Sequence, residues 1–199
     1  MASIFSFGGN LYDISDLRVA VNLNDGTFGS KIDVPAVDMF RMEFVMKSQR
    51  ANGDGGIAAL ASAVEAINVN MRNVGISRDH WAVMFPSASY EYGSTPNRVE
   101  DFFIEVGTPN PYFSALAQIF DGESQSSGAI IFIPRIKIMN NVQWQAEYNT
   151  FVTPELQGMA VPDTNLINPS GRPRLFHAKY YESGLPSLDS VTLPLPMGI

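Results

Sequence analysis

The stretch Asp38-Met39-Phe40-Arg41-Met42-Glu43-Phe44-Val45-Met46-Lys47 decides the fold class. Its even positions Phe40, Met42, Phe44 and Met46 are apolar, while Arg41, Glu43 and Lys47 stand among the odd ones. Period two over about ten residues marks a long half-buried strand, because successive side chains of a strand point to opposite faces. The strand runs into Asn52-Gly53-Asp54-Gly55-Gly56, a glycine-rich loop. Beyond it, the alanines and Leu60 of 57–66 favour helix by propensity. Ile67, Val69 and Met71 then alternate with Asn68, Asn70 and Arg72. The alternation predicts a second strand over 65–73, with 57–64 extended ahead of it.

On the N-terminal side, residues 1–33 read as an arm. Gly8-Gly9-Asn10 and Asn24-Asp25-Gly26 punctuate short apolar pieces around Leu17, Val19, Val21 and Leu23, and the second triplet is a hairpin signal. On the C-terminal side, 77–85 predicts the one clear helix. Ser77 suits its cap, Asp79 its first turn and Pro86 its end, with Trp81, Met84 and Phe85 on one face. Strands follow. Phe102, Ile104 and Val106 alternate with Phe103 and Glu105, and 129–139 is a β-branched run in which Pro134 predicts an edge or a bulge. Asn140-Asn141 turns into 143–151, where Trp144, Ala146 and Tyr148 alternate with Gln143, Gln145, Glu147 and Asn149. A loop over 162–173, a last strand over 175–182 and a proline-containing C-terminal arm over 183–199 complete the chain. The prediction is one mainly β domain, a sandwich or barrel over 34–182, with a single short helix. Its core candidates are Phe40, Met42, Phe44, Trp81, Phe85, Phe102, Ile104, Trp144 and Tyr148.

Composition narrows the chemistry. The 199 residues contain no cysteine, which removes disulfides, CxxC redox pairs and cysteine-based zinc sites. Thirteen basic against twenty acidic residues leave a net charge of −7, the wrong sign for ordinary nucleic-acid binding. No apolar run approaches membrane-spanning length, and the segment from Met1 to Phe7 lacks the basic start of a secretory signal.

Catalytic constellations are sparse. His80 and His177 are the only histidines, and each reads as a packed or solvated side chain rather than a ligand or base. No G-x-S-x-G occurs. Glu100, Asp101 and Glu105, and Asp121 with Glu123, read as strand-edge and loop acids, since strand neighbours point to opposite faces. Gly53-Asp54-Gly55-Gly56-Ile57-Ala58 fits G-x-G-x-x-A, but no acid follows about 20 residues later and no βαβ unit surrounds it. It reads as a hairpin loop. Arg172-Pro173-Arg174 with Phe176, Tyr180 and Tyr181 is the nearest approach to a basic, aromatic stacking surface, and equally suits an anchor for a neighbouring subunit. No catalytic, metal or cofactor site is expected.

The order of signals carries a resemblance. A long strand ends in Gly53-Asp54-Gly55-Gly56-Ile57. A polar-alternating strand runs into Asn73-Val74-Gly75-Ile76-Ser77, then come the short helix and Gly93-Ser94-Thr95-Pro96-Asn97. An alternating strand, Asn110-Pro111-Tyr112-Phe113, and the strand holding Arg135-Ile136-Lys137-Ile138 follow. This succession, over about 34–182, resembles the major tail tube proteins of long-tailed bacteriophages. The resemblance implies a β-sandwich flanked by a helix, six copies forming a ring whose inner sheets close into one barrel, and rings stacking into a tube that conducts DNA. It implies a virion protein of the phage tail, assembled in the host cytoplasm. Its partners would be further copies of itself, the tape measure protein and the tail terminator and baseplate proteins, with only transient passage of DNA and no membrane insertion.

Under that reading Arg41, Glu43, Asn68, Asn70 and Arg72 are lumen candidates. Gln143, Gln145, Glu147 and Asn149 fit either the channel or the outer surface. Asn52, Gly53, Asp54, Gly55 and Gly56 are candidates for inter-ring contact, together with the two arms. A ring of six would carry a charge of about −42, which would weakly repel a passing polyanion. The two lumen arginines depart from a purely acidic wall. Two other classes remain open at this point: another virion ring or surface protein (a tail terminator, a capsid decoration protein) or a secretion-system tube subunit, and an enzyme or nucleotide-binding domain using the 53–58 loop.

Overall fold

The computed structural model describes residues 11–53, 56–73, 78–121, 124–139 and 155–197. The chain begins with strands β1 (Leu11–Val21), β2 (Ile32–Asp33), β3 (Val37–Gly53) and β4 (Gly56–Asn73), followed by helix α1 (Arg78–Met84). Then come β5 (Ser87–Tyr92), β6 (Val99–Ile104), β7 (Phe113–Asp121) and β8 (Ser124–Ile138). The last are β9 (Glu155–Ala160), β10 (Asp163–Ile167), β11 (Pro173–Arg174) and β12 (His177–Tyr181). The protein is mainly β with one helix, and its strand pairings are antiparallel.

The principal sheet has the order β2-β1-β7-β8-β9-β4-β3, with β12 also paired to β8. Strand β8 is its hub. One edge carries the β7 ladder, while the other carries β12 along 128–132 and β9 along 136–138. Pro134 falls between the two partners on that second edge. Its missing N–H is accommodated by a bulge, since Phe113 faces Ile136 while Ala115 faces Ile133. The sequence expectation of an edge or a bulge thus resolves to a bulge within a central strand. Gly128, near the start of β8, has φ +151, and a Cβ there would meet the Ile119 carbonyl oxygen at 2.2 Å, so only glycine fits.

The main core lies on one face of this sheet. Phe113, Ala115 and Ala117 of β7 meet Ile131, Ile133, Ile136 and Ile138 of β8, with Ile67, Val69 and Met71 of β4 and Leu156 and Ala160 of β9. The sheet turns so that β1 comes against β3, and α1 packs beside β1 and β2. Trp81 and Phe85 stack at 5.2 Å within that core, and Phe85 N–H donates to the Trp81 carbonyl at 2.9 Å just before Pro86. The helix therefore forms as expected. Ser77, its expected cap, lies outside the described residues. The described strands of one chain do not close into a barrel.

A second core covers the other face of β7 and β8. Leu116, Ile130 and Phe132 are roofed by Leu188, Val191 and Leu195 from the C-terminal segment. Polar clasps hold that roof. Lys31 Nζ donates to the carbonyls of Leu188, Asp189 and Val191, and Arg174 Nη1 to the carbonyl of Leu195 at 3.1 Å. Gln118 Nε2 reaches the Pro186 carbonyl at 3.1 Å. The segment expected as an arm over 183–199 thus lies, as far as Met197, back on its own sheet.

Several expectations shift. Within the stretch read as an N-terminal arm, 11–21 forms β1 in the principal sheet, with Leu17, Val19 and Ala20 buried. Asp16 and Arg18 take the polar positions of its alternation and pair with each other at 3.2 Å, while Arg18 also reaches Asp33 and Asp189. The hairpin signal at Asn24-Asp25-Gly26 is a turn, with Asn24 at φ 62 and Gly26 at φ 88. Residues 57–66, read as extended in spite of their helix propensity, pair with β3 in a ladder whose register shifts at Val45/Met46 and at Ala51/Asn52. Part of the 162–173 loop forms β10 and β11. Among the core candidates Trp81 and Phe85 are buried, and Phe40, Met42 and Phe102 pack against the core. Phe44 is 47% exposed and Ile104 49%. Phe44 sits where β9 ceases to cover β4, and Ile104 ends a strand that, among the described residues, pairs only with β5. Trp144, Tyr148 and the strand expected over 143–151 lie outside the described residues.

Candidate functional site

Directly paired residues on neighbouring strands share a face, so register fixes what each side of the β3–β4–β9 layer presents. Phe40 opposite Met71 and Met42 opposite Val69 turn to the core. Arg41 opposite Asn70 and Glu43 opposite Asn68 turn away from it. Strand β9 continues this outer face, with Met159 opposite Asn68, Gln157 opposite Asn70 and Glu155 opposite Arg72. The structure therefore brings Arg41, Glu43, Asn68, Asn70 and Arg72 together on one wetted face. Arg72 is neutralised there by Asp38, Nε to Oδ2 2.6 Å.

Strand β8 extends the face further. Lys137 lies opposite Met159, and the Arg135 guanidinium sits 4.1 Å from the centroid of the Tyr112 ring. The Lys137 ammonium lies 5.2 Å from the same centroid. Tyr112, Arg135 and Lys137 were not among the sequence candidates. The alternation Arg135-Ile136-Lys137-Ile138 held the signal, because the two isoleucines go to the core and the two cations must then face out. Gly158 allows the close approach of β9, since a Cβ there would come within 2.9 Å of Ile136 Cγ2 and 3.1 Å of the Lys137 carbonyl oxygen.

The loop candidates occupy the tip of the same hairpin. Asn52 pairs with Ile57 and Gly53 with Gly56, while Asp54 and Gly55 lie outside the described residues. Among the described residues strand β9 covers β4 only along 67–72, and beyond it β3 and β4 pair with each other as a ribbon about 30 Å long. Phe44, Met46 and Val64 are exposed along it, and Lys47 Nζ lies 3.7 Å from Glu65 Oε1.

A second exposed apolar surface lies on the β5–β6 hairpin. Tyr90 and Phe103 meet edge-on at 6.1 Å, and Tyr92 donates its hydroxyl to Asp101 at 2.8 Å, which raises the Tyr92 pKa. Beside it Glu91 pairs with Arg98 and, at 3.2 Å, with Arg78, and those hydrogen bonds hold its carboxyl below the ordinary range.

Neither histidine is placed for chemistry. His80 is fully buried in α1 with neither ring nitrogen hydrogen-bonded, and burial pushes its pKa down to about 4. Burial, and then the nearby Arg174, also lower that of His177. Among the described residues no three histidine, cysteine or acidic side chains cluster as metal ligands do. No described helix is long and apolar enough to cross a membrane. The buried polar centre of the chain is structural: Asn22 Nδ2 bridges the Pro134 carbonyl at 2.9 Å and Asp163 Oδ2 at 2.8 Å.

No protein-family model matches the chain, and no curated protein matches it significantly. Several solved chains are similar, two of them as follows, at low identity. One is the tail of an empty gene transfer agent particle obtained by helical refinement with C6 symmetry, at 13% identity, covering 72% of this chain and 89% of that one, with a TM-score of 0.38. The other is the virion of a native gene transfer agent particle, at 14% identity, covering 74% and 92%, with a TM-score of 0.39. Likeness at that level does not decide a function. The outward polar face and the projecting ribbon are the features on which one can be argued.

Proposed function

We propose that this protein is the structural subunit of a phage tail tube, assembling as stacked hexameric rings around a lumen that conducts viral DNA. The observation that carries the reading is the two-faced β3–β4–β9 layer. One face packs on the core, while Arg41, Glu43, Asn68 and Asn70 line the other. A water-filled channel needs that alternation in its wall. Strand β3 also ends the sheet order, so its outer edge carries no described partner strand. An open edge on a long strand invites a neighbouring copy, and closure through neighbours would remove it.

In this reading the ribbon that ends at Asn52, Gly53 and Gly56 reaches the adjacent ring, with Asp54 and Gly55 at its tip. The tape measure, terminator and baseplate proteins are the other partners, and the virion tail is the location, after assembly in the host cytoplasm. The resemblance in the order of sequence signals supports the same assignment. Charge reversal at the wall is a direct test. Glu43→Lys is expected to leave tubes intact, as seen by electron microscopy, and to slow DNA ejection from particles carrying it. Unchanged ejection with normal tubes would remove Glu43 from the lumen.

A further inference from the structure

The chain carries seven more acids than bases, yet its outward polar face does not share that excess. Arg41, Arg135 and Lys137 stand there against Glu43 and Glu155, and Arg72 is offset by Asp38. Two of the cations are concentrated on one ring. Arg135 and Lys137 both lie over Tyr112, at 4.1 and 5.2 Å, and all three residues are half-buried. Arg135 Nε is shielded from solvent and has no hydrogen-bond partner. Among the described residues no carboxylate pairs with either cation.

Contact with a ring face offsets part of the cost of holding a cation out of water, but it does not relieve repulsion between two like charges. A half-buried guanidinium with an unused donor, a second cation and an aromatic plate together make a receptor for an oxyanion. Arginine offers a fork of donors matched to phosphate, and lysine adds a point charge. We infer that Tyr112, Arg135 and Lys137 form a phosphate-binding site on the polar face, and that its ligand is the phosphodiester backbone of a nucleic acid. This deepens the tube reading and rests on it: the wall would touch the passing polyanion weakly at one repeated point instead of repelling it everywhere.

The test uses the dispersed full-length chain and a fluorescein-labelled duplex of about 20 base pairs, followed by anisotropy between about 50 and 200 mM salt. The wild type is expected to bind weakly at the low end and to lose affinity steeply with salt. An Arg135→Gln/Lys137→Gln variant should bind about tenfold more weakly, with a log–log salt slope smaller by about 1.8, the value for two lost phosphate contacts. At matched ionic strength, inorganic phosphate should displace the duplex better than chloride. Lys137→Gln alone, which leaves Arg135 in place, should show about half of the slope change should the double variant misfold.

Absence of binding by the wild type, equal affinity in the folded variants, or displacement by chloride as effective as by phosphate would each overturn the site. So would a double variant that keeps its DNA affinity but no longer assembles, because the cations would then serve a carboxylate of a neighbouring copy. Sedimentation of the same samples keeps this result separate from the tube reading, which stands on wild-type assembly alone.

Discussion

The two halves of the principal sheet are built to different ends. Strand β7 and the N-terminal part of β8 are covered on both faces, by the main core on one side and by Leu188, Val191 and Leu195 on the other, and β1 lies beside β7 with Leu17, Val19 and Ala20 buried. Strands β3 and β4 pack on the core through Phe40, Met42, Ile67, Val69 and Met71, and leave Arg41, Glu43, Phe44, Met46 and Val64 exposed. The first half contains what one chain needs to fold. The second presents polar groups, exposed apolar side chains and an edge with no described partner strand, which in the proposed tube would meet another copy or a ligand. In the proposed tube, stability and function would thus be separated along the sheet, with β8 as the junction. Its N-terminal half is roofed by the C-terminal segment, and its C-terminal half displays Arg135 and Lys137.

Substitutions sort by that division. Phe132 is fully buried and meets Phe28 edge-on at 5.5 Å, so Phe132→Ala should cost about 3–5 kcal/mol in urea denaturation. Phe44→Ala, by contrast, should cost about 1 kcal/mol or less, through loss of its edge contact with Phe176 at 5.8 Å. It should instead weaken self-association in sedimentation. Equal losses of stability in the two variants would break the comparison.

Acid sharpens it next. Native His80 has its pKa lowered to about 4 from an ordinary value of 6.5, so the folded state holds it neutral where the unfolded chain would already be charged. Its contribution is complete above about pH 6.5 and is lost as pH falls towards 4, by at most about 3 kcal/mol. Denaturation midpoints at pH 7 and 4.5 read the loss, and His80→Leu should flatten the profile in that window. Asp16, whose pKa is raised by burial, works in the opposite sense at lower pH. A wild-type profile already flat over the window would contradict the buried neutral histidine. The smallest effect belongs to the open face. Arg72→Ala removes an exposed pair with Asp38 and should change stability by less than about 1 kcal/mol, less still in high salt.

The same division explains what the sequence disclosed. Strand β3 and the C-terminal part of β4 have one wet face and one dry face, so Phe40 to Glu43 and Ile67 to Arg72 write their alternation openly. From it followed the strand pair and the gathering of Arg41, Glu43, Asn68, Asn70 and Arg72 on one face. Strand β7 is buried on both faces, and its Phe113-Ser114-Ala115-Leu116-Ala117 run shows no alternation to read. Strand β1 shows a short alternation, Asp16-Leu17-Arg18-Val19, but its place in the sheet was hidden, because its partner β7 lies far along the chain. Lys31, likewise, reads as a surface cation until the carbonyls of Leu188, Asp189 and Val191 fold back over it. Tyr112 and Arg135 meet at the open end of the β7–β8 hairpin, where the bulge at Pro134 sets which residues face each other, a register that no local pattern encodes.

The tube assignment is tested most directly by electron microscopy of the purified protein over a concentration series. Sixfold rings, and at higher concentration hollow striated tubes with a wall one subunit thick, are the expected result. Isolated monomers throughout the series would contradict it.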